Sequence, residues 1–298
     1  MPSTSPVYGW QGQFGFDTVW PVTKRYRFDV FNFAAEEEFV DTNGCNGTTA
    51  LSGPRIMPGK RAILGSVTMQ PTTSELADIM AWAFGAPTAN VYPLTDIRLT
   101  RYVNLDTVVK RHKMESVGVD RLTFRGSGDG EQKLEVTLDL CGIDEDFPLD
   151  ATAFPTLSLD ESTFPLLFNM LALTVNTHSY YCRDAELVFD FNIDKTRFLN
   201  SRTLTIIKAG GPRHVGVHFT LPWGDAYPDY GVGVGGMSAT GVFTYGGASL
   251  TLAYNDVKFP RRGPQIAGRG SEIFQRMIGA AYKDSSTLEC VPTLIVGP

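Results

Sequence analysis

Cysteine and histidine are scarce in this chain, basic residues are outnumbered, and no long apolar run occurs. Four cysteines and four histidines are spread over 298 residues. Cys45, Cys141, Cys182 and Cys290 lie far apart and form no CxxC pair. Neither a disulfide framework nor a thiolate metal site is indicated, and buried thiols in a cytosolic protein are expected. Lys and Arg number 26 against 32 Asp and Glu, giving a net charge of −6 and a pI near 5.3. Affinity built on neutralising phosphates scales with cationic contacts, so tight nucleic-acid binding is disfavoured; gliding contact is not. No run reaches the roughly 18 apolar residues of a membrane span. The opening "MPSTSPVYGWQGQFG" lacks a basic region followed by an apolar one, so no secretory signal is expected.

What is present is turn-forming and apolar. Hydrophobic residues make up 43% and charged ones 19%, enough for a packed core. The length suggests about two domains as a soft prior. Thirty glycines and eighteen prolines punctuate short apolar stretches, which points to a β-rich fold with frequent turns.

Residues 1–24 have no period and read as an extended arm or loop. In "YRFDVFNFAAEEEFV", Phe28, Val30 and Phe33 suggest a strand with a solvated end at Glu36, Glu37 and Glu38. Residues 41–59 read as a long loop dense in turn residues, and such loops are usually functional. Next, Ile63, Val67 and Met69 alternate against Ala62, Leu64 and Ser66, a strand with an irregularity expected at Gly65. Pro71 stops it. Thr72 lies three residues before Glu75, the capping-box spacing at which hydroxyl and carboxylate satisfy each other's backbone N–H groups. Leu76, Ile79, Met80 and Ala83 form one helical stripe over 73–84, and Gly85 and Pro87 close it.

A hairpin follows, turning at Gly126–Gly130. On its second arm Leu134, Val136, Leu138 and Leu140 make a dry face, with Glu135, Thr137 and Asp139 on a wet one. Residues 142–162 are acidic, carry two prolines and lack periodicity, which marks a linker between β-rich domains at 25–141 and 163–298. In the second, "SYYCRDAELVFDFNID" alternates through Ala185, Val188 and Phe191, and residues 202–224 suggest a hairpin turning at Gly210–Gly211. The glycine-rich 231–247 has no assigned form; a strand at 248–260, a helix near 271–283 and a terminal strand complete the chain. No residue-level repeat aligns the two halves, although both contain hairpins, a helix and a strand after a long loop.

Local chemistry motifs fail one by one. His214 and His218 on a strand are separated by about 13 Å, too far to share one ion; they read as polar positions alternating with Val215, Val217 and Phe219. Asp190, Asn192 and Asp194 match the start of a calcium loop, but Lys195 replaces the turn glycine and Ser201 the closing glutamate. Alternation places the three on a wet strand face. "GSGDG" joins two strands and offers no helix N-terminus to an anion. Around Ser238, Thr240 replaces the second glycine of a nucleophile elbow. The run Lys110, Arg111, His112, Lys113, with Arg261 and Arg262, could bind phosphate; solvated charges or contacts with a neighbouring subunit are the favoured reading. No catalytic residue, metal ligand or cofactor is assigned.

Taken in order, several stretches resemble the major tail tube proteins of long-tailed bacteriophages. They are "GPRIMPGKRAILGSVTMQPTTSELADIMAWAFG", "VGVDRLTFRGSGDGEQKLEVTLDLCG", "FTLPWGDAYPDY" and "YNDVKFPRRGPQIAGRGSEI". The resemblance implies a mainly β fold, a sandwich or barrel of tail-tube type with one or two packed α-helices. It also implies self-assembly into rings, trimeric and pseudo-sixfold for a chain of two similar halves, hexameric for one elaborated unit. Stacked rings would form the hollow tail of a virion, made in the host bacterial cytoplasm, through which double-stranded DNA leaves without tight binding. Tape measure, terminator and distal tail proteins would be partners, and no membrane would be involved. On that reading Glu135, Asp139, Asp190 and Asp194 are candidates for the lumen, where an acidic face repels phosphate. Loop 41–59, with Asn43, Asn46, Arg55 and Lys60, and arm 1–24 are candidates for ring stacking. Lys110, Arg111, Lys113, Arg261 and Arg262 are candidates for inter-subunit charge pairs, and Leu76, Ile79 and Met80 close the core. The competing classes are another structural virion protein, such as a capsid or tail-completion subunit, a small-ligand-binding β-barrel, and a hydrolase with a spatially assembled site.

Overall fold

Alternation of apolar and polar residues, repeated along most of the chain, gives strands that bury one face each. The computed structural model describes residues 12–41, 56–95, 97–106, 110–128, 133–150, 158–159, 163–196, 198–199, 201–223, 236–245, 247–260, 273–283 and 289–296. The fold is mainly β, with one large antiparallel sheet and one short α-helix among these residues.

Seven strands lie side by side in the order β3 (Val30–Asp41), β4 (Ile56–Met69), β7 (Glu135–Gly142), β6 (Lys110–Ser127), β12 (Asp184–Asp190), β13 (His214–Pro222) and β16 (Phe274–Ala281). Their inner face is a dry surface that includes Val67, Leu122, Phe124, Val136, Leu138, Phe189 and Phe219. The first half of β6 also pairs with β5 (Thr100–Asp106) and β8 (Asp144–Asp150), and β5 pairs with β1 (Gln13–Asp17). A second group contains β10 (Leu171–Val175), β11 (His178–Tyr180), β14 (Met237–Tyr245), β15 (Ala248–Lys258) and β17 (Cys290–Ile295). It meets the seven strands at Val257 opposite Ala281 and Lys258 opposite Ala280. Two short strands, β2 (Lys24–Arg25) and β9 (Ser158–Leu159), pair in parallel.

The helix α1 (Thr73–Ala83) forms where the capping box predicts. Glu75 N–H donates to Thr72 Oγ1 at 3.4 Å, and Thr72 N–H donates to Glu75 Oε2 at 2.8 Å. Leu76, Ile79 and Met80 are fully buried, so the stripe closes the core. Just beyond the helix, the Phe84 ring meets Phe189 edge-on at 4.9 Å, and Phe189 stacks with Tyr254 of β15 at 6.2 Å. Those three rings tie the helix end, the seven-stranded sheet and the second group of strands into one core.

The structure corrects several expectations. Residues 274–281 are strand β16, not a helix: Phe274, Met277, Ile278 and Ala281 have helical spacing, but Gln275, Met277, Gly279 and Ala281 are buried with period two. Pairing with β13 along Val215–Pro222 decides between the periods, because it satisfies the backbone of a central strand. Within the supposed arm 1–24, residues 13–17 are β1, with Phe14 and Phe16 in the core. Within the supposed linker 142–162, Asp144–Asp150 is β8 and Ser158–Leu159 is β9. The 25–141 and 163–298 regions share a sheet, because Arg121–Ser127 of β6 pairs with Asp184–Asp190 of β12. β12 buries Ala185, Leu187 and Phe189, so Val188 faces outward. The hairpin partner of β13 is β12, not residues 202–209. Within 231–247, Met237–Tyr245 is strand β14.

Candidate functional site

The dry residues of β7, β6, β12 and β13 all point into the core, so their alternates are forced onto the opposite face. Cross-strand registers then line the alternates up in rows. One row runs Asp139, Arg121, Asp190, His214; the next but one runs Glu135, Arg125, Glu186, His218. Acid alternates with base across the strands, as antiparallel pairing favours. Arg121 Nη2 donates to Asp190 Oδ2 at 3.1 Å, and its Nε lies 3.9 Å from Asp139 Oδ2. His218 Nδ1 lies 3.8 Å from Glu186 Oε1. The two imidazoles lean toward each other over Gly216, whose absent Cβ would lie 3.5 Å from His214 Cε1 and 3.6 Å from His218 Nε2. Toward β4 the face turns to hydroxyls, with Thr68 and Thr137 in contact at 3.1 Å.

A bulge shapes the middle of this face. Between Val119 and Arg121 the β6–β7 register shifts by one residue, and Asp120 is the extra one. Its carboxylate accepts the Ile193 N–H at 2.8 Å and pairs with Lys195 at 2.5 Å. These contacts draw the segment after β12 over the sheet. There Ile193, Leu204 and Ile207 pack on Cys141 as a small second core, covering one end of the outer face. Gly118 makes room for it, since a Cβ there would sit 2.7 Å from Ile207 Cγ2.

The electrostatics follow from this partial cover. Burial raises the pKa of Asp139 above its usual value, opposed by the Arg121 guanidinium. The Arg121 pKa is raised, chiefly by its hydrogen bond to Asp190. Burial pushes the Cys141 and Cys182 thiols up to about 12, which leaves them protonated and unreactive at neutral pH. Among the described residues, no group of three or more His, Cys, Asp or Glu is placed to hold a metal ion.

Of the lumen candidates, the structure brings Glu135, Asp139 and Asp190 together on the outer face. Asp194 does not join them. β12 ends at Asp190, Asn192 has a φ of 50°, and Asp194 Oδ1 caps its own turn by accepting Thr196 N–H at 2.9 Å. Lys60 lies in β4, exposed, with its ammonium 5.0 Å from the Phe198 ring centre. Lys113 is turned inward onto Glu115 and Asp146 and sits 5.1 Å from the Trp20 ring centre, which makes it an internal partner. Lys110 and Arg111 lie in β6, opposite Asp150 and Leu149. Asn43, Asn46, Arg55, Arg261 and Arg262 fall outside the described residues.

Sequence reasoning missed Arg121, Arg125 and Glu186 on this face. Parity could have found the two arginines, since they flank the buried Leu122 and Phe124. The face is therefore charge-compensated with an acidic excess, not uniformly acidic.

No protein-family model and no curated protein matches the chain. No described helix is long and apolar enough to cross a membrane.

The β3 end of the seven-stranded sheet completes the site. β3 pairs with β4 alone among the described strands, over 12 residues. Val30 on it is 53% exposed, and Glu36, Glu37 and Glu38 are exposed near its far end. An exposed strand edge of this length is a template for another strand.

Proposed function

We propose that this chain is a structural virion protein that assembles into stacked rings and forms the wall of a phage tail tube. One observation carries the reading. A wide antiparallel sheet buries one face in a core, presents a charge-compensated outer face, and ends in β3, whose outer edge has no partner among the described strands. Such a sheet is a segment of a larger closed wall, because pairing between copies removes the open edge.

The outer face then lines the conduit. Arg121 is held between Asp139 and Asp190, so it is engaged within the wall instead of gripping passing phosphates. The remaining carboxylates of the rows give the surface a mild negative excess, which keeps DNA mobile. Tape measure, terminator and distal tail proteins would meet the ends of such a tube, and the virion tail would be its location.

Negative-stain microscopy of the purified protein over a concentration series tests this. Stacked rings or tubes with a central channel are expected. A uniform monomer at every concentration overturns the proposal.

A further inference from the structure

The second half of the chain repeats the hydrogen-bond register of the first, strand by strand. β3 lies on β4 with Val30 opposite Thr68 and Phe31 opposite Val67; β12 lies on β13 with Asp184 opposite Thr220 and Ala185 opposite Phe219. The residue before each strand makes the same contact: Asp29 N–H donates to the Thr68 carbonyl and Arg183 N–H to the Thr220 carbonyl, both at 2.8 Å. β4 lies on β7 with Ile63 opposite Gly142, and β13 on β16 with Val215 opposite Ala281.

The irregularities repeat as well. In the β5–β6 pair, Arg101 faces Val117 while Val103 faces Met114; in the β14–β15 pair, Met237 faces Val257 while Ala239 faces Tyr254. Each bulge holds a non-glycine residue at positive φ, Ser116 at 50° and Asp256 at 44°. Beside these bulges Met114 faces Glu145 of β8, and Tyr254 faces Cys290 of β17. Phe14 faces Leu105 and bridges to Tyr26, just as Leu173 faces Gly241 and pairs with Tyr180. A bulge that strains a non-glycine residue is costly, and two unrelated halves have no reason to share it in register.

We infer that the chain is an internal duplication, and that the joint between its two units is copied between molecules. Inside the chain, β12 seats on β6. β3 is the counterpart of β12, the β4–β7 pair is the counterpart of β13–β16, and β15 is the counterpart of the first half of β6. The edge of β3 therefore docks the β16 end of the seven-stranded sheet in a second copy of this chain. The contact is heterologous, head to tail, so it closes into a ring when the rotation permits. Every ring then displays twice as many similar units as it has chains. This deepens the tube reading, on which it rests for the ring's purpose.

Hydrogen exchange with mass spectrometry, on assembled and dissociated full-length protein, tests the docking edge. Backbone amides of residues 30–36 are expected to exchange roughly tenfold slower or more on assembly, approaching the protection of β12. Ala35→Pro, at a position of β3 whose N–H points away from β4, where proline is tolerated on an edge strand, is expected to stop ring formation while the monomer keeps its circular dichroism. The exchange measurement needs no variant, so it decides the matter even if that substitution unfolds the chain. Rings or tubes with no added protection at β3 overturn the docking edge and leave the tube reading standing. Closed rings protected at β3 that never stack support the docking edge and sink the tube reading. A monomer at all concentrations overturns both.

Discussion

Gly65→Ala offers a sharp test of how β3 is held. Gly65 has a φ of +150°, and a Cβ built on it would lie 1.8 Å from the Asn32 carbonyl oxygen and 2.6 Å from Phe33 Cα. Both obstacles are backbone of β3, so no side-chain rotation relieves them. Holding alanine in that conformation costs about 1–3 kcal/mol, and forcing the strands apart costs about 1–3 kcal/mol more. The sum, about 2–6 kcal/mol, is a large share of the stability of a typical domain, roughly 5–15 kcal/mol. Gly216→Ala is the control: its φ is not positive and its nearest neighbours are side-chain atoms at 3.4 to 3.6 Å, so about 0.5 kcal/mol is expected. Urea unfolding followed by tryptophan fluorescence, at a concentration below assembly, measures both. If Gly65→Ala costs no more than Gly216→Ala, the account of the β3–β4 contact is wrong.

Glu75→Gln should leave the protein at least as stable at pH 7. Burial raises the folded pKa of Glu75 above its usual 4.5, so the folded state holds the proton more tightly and stability falls as pH rises through that window. The glutamine removes this fall and can still accept the Thr72 N–H; a loss above about 1 kcal/mol at pH 7 would refute the reasoning. Asp120→Ala leaves the Ile193 N–H without its acceptor, while the half-exposed Lys195 rehydrates. A cost of about 1–3 kcal/mol in thermal unfolding is expected, and a neutral result would deny the bulge its anchoring role. Cys141 and Cys290 should resist iodoacetamide at pH 8 in the native protein and react on unfolding, read by site-resolved mass spectrometry. Rapid native alkylation at either would contradict their burial.

Legibility in the sequence followed the range of the interactions. The capped helix and the wet and dry faces of β7 depend on near neighbours, and each was readable from spacing. The strand at 274–281 was not, because Phe274, Met277, Ile278 and Ala281 satisfy a helical stripe equally well and only the partner β13 breaks the tie. Phe14 and Phe16 looked like an unstructured arm for the same reason: their partner β5 is some ninety residues away. The candidate face was half legible. Local alternation displayed Glu135 and Asp139, whereas their pairing with Arg121 and Arg125 comes from register between strands. Asp194 was misassigned because alternation carries no sign that a strand stops, here at Asp190 with Asn192 in a left-handed turn. The internal duplication left no residue-level repeat because register is kept by backbone hydrogen bonds, which many side chains accommodate.

The seam between β6 and β12 also sets an order of events during synthesis. The first unit is complete once residue 150 has emerged, yet the outer edge of β6 stays bare until Asp184–Asp190 follows. On the proposed equivalence, β3 of a neighbouring nascent chain, as the counterpart of β12, competes for the vacancy. The chain's own β12 has the advantage of a short tether, equivalent to a local concentration on the order of millimolar. Crowding of unfinished chains on one messenger would erode that advantage and favour exchanged strands over orderly rings.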